Sequence, residues 1–411
     1  MVTETTPAST SADVALAWQG RPAVAVIDLD ALAGNIEVLK GMVGPDVRLM
    51  AVVKANAYGH GAIPVTRAAL EAGAEALGVA TVDEGAQLRM AGIEAPILVF
   101  GAIGRVERAR AIGQGLALVI ANAGFARGLA AEVRAALHKE SHPVHLKIDT
   151  GMNRFGAEPG DVVDLARTIT ACPELRLEGI MTHQAAADAP DPSAAHRQVA
   201  VFDEAVRALR EAGIEAPIHH VANSATTLRF PEYRRGQVRA GIAIYGLDPD
   251  PGLPVPPPMR PVMTIHARIM RVFDIHPGEA VGYGGTYRPE RVERAGLVTL
   301  GYADGYRRAF SNVAHMGVRG QPAPVIGRVS MDQTVVRLPD GLDVDEGEPV
   351  AVVGDGTGAT AGAPTFNDLA GLIGTIPYEL ACGIAPRMPR LYVQGGRVVA
   401  IADLFGLREL G

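Results

Sequence analysis

Along this chain, apolar and polar positions fall into two regimes that change near residue 246. In the first, short apolar runs alternate with segments whose apolar residues repeat at helical spacing. The run LMAVV at 49–53 is followed by strand candidates at 76–80, 96–100, 116–120, 144–148, 177–182 and 218–222, with a shorter piece at 237–240. Bounded apolar runs of this kind predict strands buried on both faces. Helical periodicity between them is clearest at 124–137, 161–171 and 193–212. A strand at 23–27 precedes the series, and Asp30 can cap a helix that places Leu32, Ile36 and Leu39 on one face.

Counted from Leu49, the pattern makes eight strand–helix units. They occupy about 200 residues, the size expected of a (β/α)8 TIM-like barrel. An open doubly wound sheet is the alternative. Two features favour the barrel: no GxGxxG follows the first strand, and Lys54, Asp149, His183, Asn223, Ser224 and Gly241 fall just past strand ends. In a barrel these residues converge on one mouth, whereas an open sheet spreads them along an edge.

Past Gly246, the stretch DPDPGLPVPPPM at 248–259 cannot continue a helix and reads as an extended linker. Short β-type runs come after it at 263–272, 295–300, 323–326, 334–338, 349–353 and 390–393, separated by turn residues. The expected organisation is a loose tail over 1–22, a barrel over 23–257, and a mainly β unit over 258–411 against which the first short strand can pack.

Composition narrows the class. Apolar residues make up 48% and charged residues 20% of the 411, with 48 Gly and 29 Pro, which suits a turn-rich α/β enzyme rather than a disordered chain. The net charge of −7, without a dense Lys/Arg block, argues against a nucleic-acid partner. Cys172 and Cys382 are too few for a disulfide framework and lack metal-ligand spacing, so no metal is expected. The first twenty residues have no basic n-region or long apolar core, and no uncharged membrane-spanning run occurs after them. The expectation is a cytoplasmic protein without a membrane partner.

Chemistry gathers at the strand ends. In VRLMAVVKANAYGHG (47–61), Lys54 is either an amine able to form a Schiff base with a carbonyl ligand or a lysine that snorkels to solvent. Lys147, Asp149 and Arg154 in LKIDTGMNRFG (146–156) either bind a carboxylate or hold a loop by a local ion pair. Asn223-Ser224 and Arg239-Ala-Gly-Ile242 lie where barrels often hold phosphate, although Asn-Ser is also an ordinary helix cap. The β unit adds tyrosines flanked by glycine in VGYGGTY (281–287) and GYADGY (301–306), and further islands GRVSMDQ (327–333) and TIPYE (375–379). GDGTG at 354–358 lacks strand–loop–helix context and reads as a turn.

Together with THQAAAD (182–188), ANSA (222–225) and VRAGIAIYG (238–246), these motifs occur in the order found in the alanine racemase family, and from residue 23 onward the chain resembles it. Members of that family are bacterial enzymes dependent on pyridoxal 5′-phosphate (PLP). By this resemblance Lys54 bonds the cofactor covalently, and Tyr58, Ser224, the backbone at Gly241 and Ile242, and Tyr378 hold its phosphate, with Asn223 beside them. Arg239 faces the ring nitrogen and His183 lies beside the ring. A guanidinium cannot protonate that nitrogen, so a carbanion is less stabilised and transamination is disfavoured.

Racemisation needs two acid/base groups on opposite faces of the substrate. The resemblance assigns Lys54 to the D-enantiomer's proton and Tyr283 to the L-enantiomer's. It implies a head-to-tail homodimer in which Tyr283, Met331 and Asp332 serve the neighbouring site, with Arg154 meeting the substrate carboxylate and Tyr302 among the substrate-binding residues. Lys147 matches a position carbamylated in some members. Ser330 stands where many carry cysteine, and THQAAAD is a looser match than the other motifs. The implied reaction is interconversion of L- and D-alanine for peptidoglycan. Racemisation of serine or a broader set remains open, because one hydroxyl is hard for a small pocket to reject. A PLP-dependent decarboxylase is disfavoured by Arg239 and Tyr283, and a non-catalytic PLP carrier by the β unit.

Overall fold

A computed structural model of the chain describes residues 15, 17–137 and 140–410. The strand Ala23–Asp28 (β1) comes first. Eight parallel strands come next: Arg48–Val52 (β2), Ala76–Val79 (β3), Ile97–Val99 (β4), Ala117–Ile120 (β5), His142–Lys147 (β6), Leu175–Met181 (β7), Ile218–His220 (β8) and Gln237–Ala240 (β9). Their order is β8-β7-β6-β5-β4-β3-β2-β9, and the Arg239 N–H donates to the Ala222 carbonyl at 3.0 Å across the β8/β9 seam. The sheet is thus a nearly closed barrel.

These strands form where the apolar runs are because both faces are covered, by side chains inside the barrel and by helices outside. The helices Leu29–Val43 (α1), Ala62–Glu71 (α2) and Val82–Met90 (α3) illustrate the local logic. α1 buries Leu32, Ile36 and Leu39. Its cap is Asp28 rather than Asp30: the Asp28 carboxylate accepts the Ala31 N–H at 2.8 Å, while Asp30 accepts the Gly395 N–H at 2.7 Å. α3 starts with a reciprocal cap between Thr81 and Glu84.

The second layer is a ten-stranded sheet. Its long strand Met263–Ile275 (β10) runs antiparallel to β1, from Ala23 opposite Ala267 to Ile27 opposite Met263. Arg390–Gln394 pairs with the other edge of β1 in parallel, Ala25 opposite Arg390. The first strand therefore belongs to this sheet and not to the barrel. An irregularity between Ile269 and Arg271 lets the far half of β10 pair with Glu293–Val298 instead.

The runs at 315–318, 397–403 and 406–409 also form strands, and 323–326 shifts to Gln321–Pro324 to close a hairpin through left-handed Arg319 and Gly320. Most of the expected tail lies outside the described residues. Ala15 and Trp18 pack against Val24, Val26 and Leu391. Among the described residues no helix is long and apolar enough to cross a membrane.

Candidate functional site

At the carboxyl end of β2 the chain reverses hand. Ala55, Asn56, Ala57 and Tyr58 have φ of 53°, 54°, 53° and 51°, four consecutive left-handed residues that are not glycine. Each such residue costs about 1–2 kcal/mol, so neighbours must impose the turn. Glu84 Oε1 accepts the Ala55 N–H at 2.7 Å, Asn56 Oδ1 accepts the Ala62 N–H at 2.8 Å, and Arg390 donates to the Gly59 carbonyl at 2.8 Å. Tyr245 donates to the Val52 carbonyl at 3.0 Å. A Cβ on Gly59 would strike the Ala381 carbonyl, and one on Gly61 the Tyr392 hydroxyl. Lys54 heads this turn half-buried, and Tyr58 is carried back over the barrel mouth.

Glu84 is a functional residue the sequence reading missed. Its other oxygen accepts from Ala80 and Thr81 at 2.7 and 3.1 Å, so one carboxylate ties the start of α3 to the lysine turn. The signal available was the reciprocal cap, which marks a helix start and says nothing of a second partner.

At the β8 and β9 ends, Asn223 caps the short helix Ser224–Arg229 by accepting the Thr226 N–H at 2.9 Å. Ser224 Oγ accepts the Gly241 N–H at 2.9 Å and the Ala243 N–H at 3.4 Å. Ile242 opens the 3-10 turn Ile242–Tyr245 between them. A Cβ on Gly241 would sit 2.5 Å from the Tyr58 hydroxyl, so the glycine is what lets that hydroxyl approach. Tyr58 lies 5.0 Å from Tyr245 and 6.0 Å from Tyr378, which reaches in from the helix Pro377–Cys382. Burial pushes the pKa values of Tyr58 and Tyr378 above the usual phenol range. Three hydroxyls, of Tyr58, Ser224 and Tyr378, and a run of backbone N–H groups converge here, a donor set that fits a phosphate.

The floor of the mouth is cationic. Arg239 is buried and donates to the carbonyls of His220 at 2.8 Å, Thr182 at 2.9 Å and Val221 at 3.2 Å, and it lies 3.3 Å from His183 Nδ1. No carboxylate pairs with it among the described residues, and burial lowers its pKa to about 10. Burial, then Arg239, pushes His183 well below the usual imidazole value. Lys147 is brought down to about 8 by burial, Arg239 and Arg154, and its ammonium sits 5.1 Å over the Phe155 ring. Lys54 is lowered by burial first and Arg154 second.

Asp149 offsets only part of the charge at Lys147. Its Oδ1 accepts the N–H groups of Gly151, Met152 and Asn153 at 3.0, 2.9 and 3.0 Å, and Oδ2 that of Arg154 at 3.1 Å. Burial opposes ionisation, but the four amides outweigh it and hold the carboxyl below its ordinary value. Asp149 is a loop staple, and the Arg154 side chain is left exposed at the rim.

The structure brings Lys54, Tyr58, His183, Asn223, Ser224, Arg239, Gly241, Ile242 and Tyr378 to one mouth, with Lys147 and Arg154 beside them. Tyr283, Tyr302 and Met331 stand elsewhere, 72%, 41% and 52% exposed, and the Asp332 side chain is 59% exposed. No hydrogen bond or ring contact links any of these four to Lys54, Tyr58, His183 or Arg239 among the described residues.

The family model for the N-terminal domain of alanine racemase matches residues 27–249, and that for its C-terminal domain matches 262–392. The chain is 42% identical to alanine racemase from Symbiobacterium thermophilum over 90% of this chain and 97% of that protein. It is 39% identical to alanine racemase from Geobacillus stearothermophilus, covering 94% and 97%. Among solved structures, alanine racemase from Bacillus anthracis with bound L-Ala-P superposes with a TM-score of 0.86 at 34% identity, covering 95% of this chain and 99% of that one.

Proposed function

The chain belongs to the alanine racemase family of isomerases, and from that premise we propose that it interconverts L- and D-alanine with PLP as cofactor. The observation that carries the reading is Arg239, buried, held by strand-end carbonyls and without an acidic partner among the described residues, beside a phosphate-shaped cradle and a half-buried lysine. When bound, PLP supplies a carbonyl that condenses with an amine and a ring that draws electrons from the substrate's α-carbon.

Tyr58, Ser224, the backbone at Gly241 and Ile242, and Tyr378 hold the phosphate, with Asn223 keeping Ser224 at its helix start. Arg239 would face the ring nitrogen, and its guanidinium, lowered by burial only to about 10, would keep its own proton. An acid at this place would deliver the proton and favour decarboxylation or transamination. His183 lies neutral beside the ring. Lys54 would hold the cofactor and serve as the base for the D-enantiomer; burial and then Arg154 bring its amine nearer to working pH.

Tyr283 is the second base. Its exposure, with Tyr302 and Met331 also open to solvent, supports a head-to-tail homodimer in which these residues and Asp332 complete the neighbouring protomer's site. Arg154 and the Met331 N–H bind the substrate carboxylate, and Lys147, if carbamylated, orients Arg154. Residues 23–257 and 258–411 are the two working units, and the enzyme is cytoplasmic, supplying D-alanine for peptidoglycan. The test mixes inactive Lys54→Ala and Tyr283→Phe homodimers under conditions of subunit exchange. Activity returning as one intact site per heterodimer is expected, and no recovery despite confirmed exchange refutes the shared site.

A further inference from the structure

In the GYADGY motif the Asp304 carboxylate is fully enclosed, its side chain 0% exposed, and no role falls to it in the proposed function. It ends the short turn Tyr302–Asp304. Its Oδ2 accepts the Gly301 N–H at 3.0 Å. Oδ1 accepts from two guanidinium groups, Arg21 at 2.6 Å and Arg387 at 2.7 Å. Arg387 has a second fork: its Nη2 donates to Asp332 Oδ1 at 2.7 Å and lies 3.5 Å from the Met331 carbonyl.

The backbone repeats the connection. Tyr302 N–H donates to the Ser330 carbonyl and Ala303 N–H to the Met331 carbonyl, each at 3.0 Å. A Cβ on Gly301 would collide with those same two carbonyls. The turn that carries Tyr302 and the loop that carries Met331 and Asp332 are therefore fastened to each other twice, by main chain and through Arg387.

The charges close as well. A lone buried carboxylate facing one arginine would absorb that arginine's charge; here Arg21, from the segment before β1, supplies a second cation to Asp304. Arg387 is left with charge to offer Asp332, and two guanidinium groups balance two carboxylates. Charge-assisted bonds of this kind are about twice as strong as neutral ones, and a planar fork fixes direction as well as distance.

We propose that Arg387, set by Asp304 and Arg21, is a positioning residue that holds the Met331 N–H and Asp332 in register with Tyr302 for the substrate site of the neighbouring protomer. This rests on the reading that Met331 and Asp332 act across the dimer. Arg387 touches neither substrate nor cofactor. It acts on substrate affinity through the loop it clamps.

The Arg387→Gln homodimer should bind cofactor normally, show KM for both alanine enantiomers raised about tenfold, as expected for one charge-assisted bond, and lose less in kcat. The discriminating sample is the heterodimer of Arg387→Gln with Lys54→Ala, isolated through two different affinity tags. Its only site with an intact Lys54 lies on the Arg387→Gln chain and receives the loop of the partner, whose Arg387 is intact. Native KM there is the expected result; a raised KM overturns positioning across the interface. An unchanged KM in the homodimer overturns the clamp itself.

Hydrogen exchange at residues 330–333 of the cofactor-free protein is read in parallel, and should quicken in Arg387→Gln. If the Lys54→Ala and Tyr283→Phe pair fails to regain activity, the shared-site reading has failed, and unchanged exchange at 330–333 then overturns the clamp separately. Should the Gln variant not assemble, Arg387→Lys, which keeps the charge but loses the fork, goes through the same measurements.

Discussion

Removing the Asp149 carboxylate should disable substrate binding while leaving the barrel folded. In the structure four successive amides, from Gly151 to Arg154, point at this one group at 2.9–3.1 Å. The loop they form is not one the chain would choose unaided: Gly151 and Asn153 have φ of 126° and 55°, and a Cβ on Gly156 would lie 2.5 Å from the Asp149 nitrogen. At about 0.5–1.5 kcal/mol net per bond, the staple contributes roughly 2–6 kcal/mol to local order. In Asp149→Ala the amides turn to water, and Arg154 loses the fixed backbone from which it reaches the substrate carboxylate. A charge-assisted contact is worth about 1.5–3 kcal/mol, so KM for alanine should rise on the order of 10–100-fold. Asp149→Asn keeps an acceptor for three amides without the charge and should fall between.

The assay is racemisation followed by circular dichroism at saturating cofactor, with kcat and KM separated for both enantiomers. The pH dependence is part of it. Because the folded pKa of Asp149 lies below the unfolded value, its contribution is fully present above about 3.9 and is lost only as pH falls through the folded pKa. The KM defect should therefore be constant from about pH 6 to about pH 9. A native KM in Asp149→Ala, or loss of cofactor in place of loss of substrate affinity, would refute the staple.

Two further perturbations test the strain and the buried imidazoles. Ala55 is exposed and left-handed, and glycine there relieves a steric penalty of about 1–2 kcal/mol while adding about 0.5–1 kcal/mol of unfolded-state entropy. Ala55→Gly should thus raise the thermal midpoint slightly, and a fall would show that the turn is not strained. His60, fully buried with Nδ1 2.9 Å from the Tyr58 carbonyl, is held down to about 4 by burial. Below about 6.5 the unfolded chain takes up a proton that the folded one refuses, so stability falls with pH, by roughly 2 kcal/mol at pH 5 for this group. His60→Gln should flatten the decline in thermal midpoint between about pH 7 and about pH 5, and an unaltered slope would contradict it.

What the chain shows as sequence and what it conceals divide along physical lines. Strands covered on both faces tend to be apolar, so β2 to β5 stand out as runs, whereas β6 to β9 carry buried polar residues such as His145, Lys147, His220 and Arg239, and the residues just past the strand ends mark the mouth. The left-handed turn at 55–58 has no such signature. Ala-Asn-Ala-Tyr suits a right-handed helix as well, and its handedness is imposed by Glu84 and Arg390, remote in sequence. Asp28 and Asp30 are equivalent caps by spacing alone; which one serves depends on where β1 ends, and that is set by pairing with β10 and with the strand at 390–394. The strand at 406–409 is exposed and mostly polar, which removes the apolar signal that marked the others, whereas the strand at 397–403 carries the apolar run VVAIA at 398–402 and was legible.

The charge balance of the mouth explains why the site looks incomplete in one chain. Arg239, Arg154 and Lys54 lie close enough to Lys147 to depress it, and Arg154 depresses Lys54, yet Asp149 spends both oxygens on amides and Arg239 rests on neutral carbonyls. The hydrogen bonds of these groups are largely satisfied while their charge is not. A carboxylate beside Arg239 would have been the cheaper way to bury a guanidinium. It would also have cancelled the field that a phosphate and a substrate carboxylate meet on arrival, and offered the ring nitrogen an acid. On the other surface Tyr283 and Met331 are apolar groups left in water, the opposite deficit. On the proposed reading, anionic ligands answer the first and a second copy of the chain the second. In the proposed reaction both would follow from one requirement, that the α-carbon be reached from two faces while only one of them belongs to the barrel that would hold the cofactor.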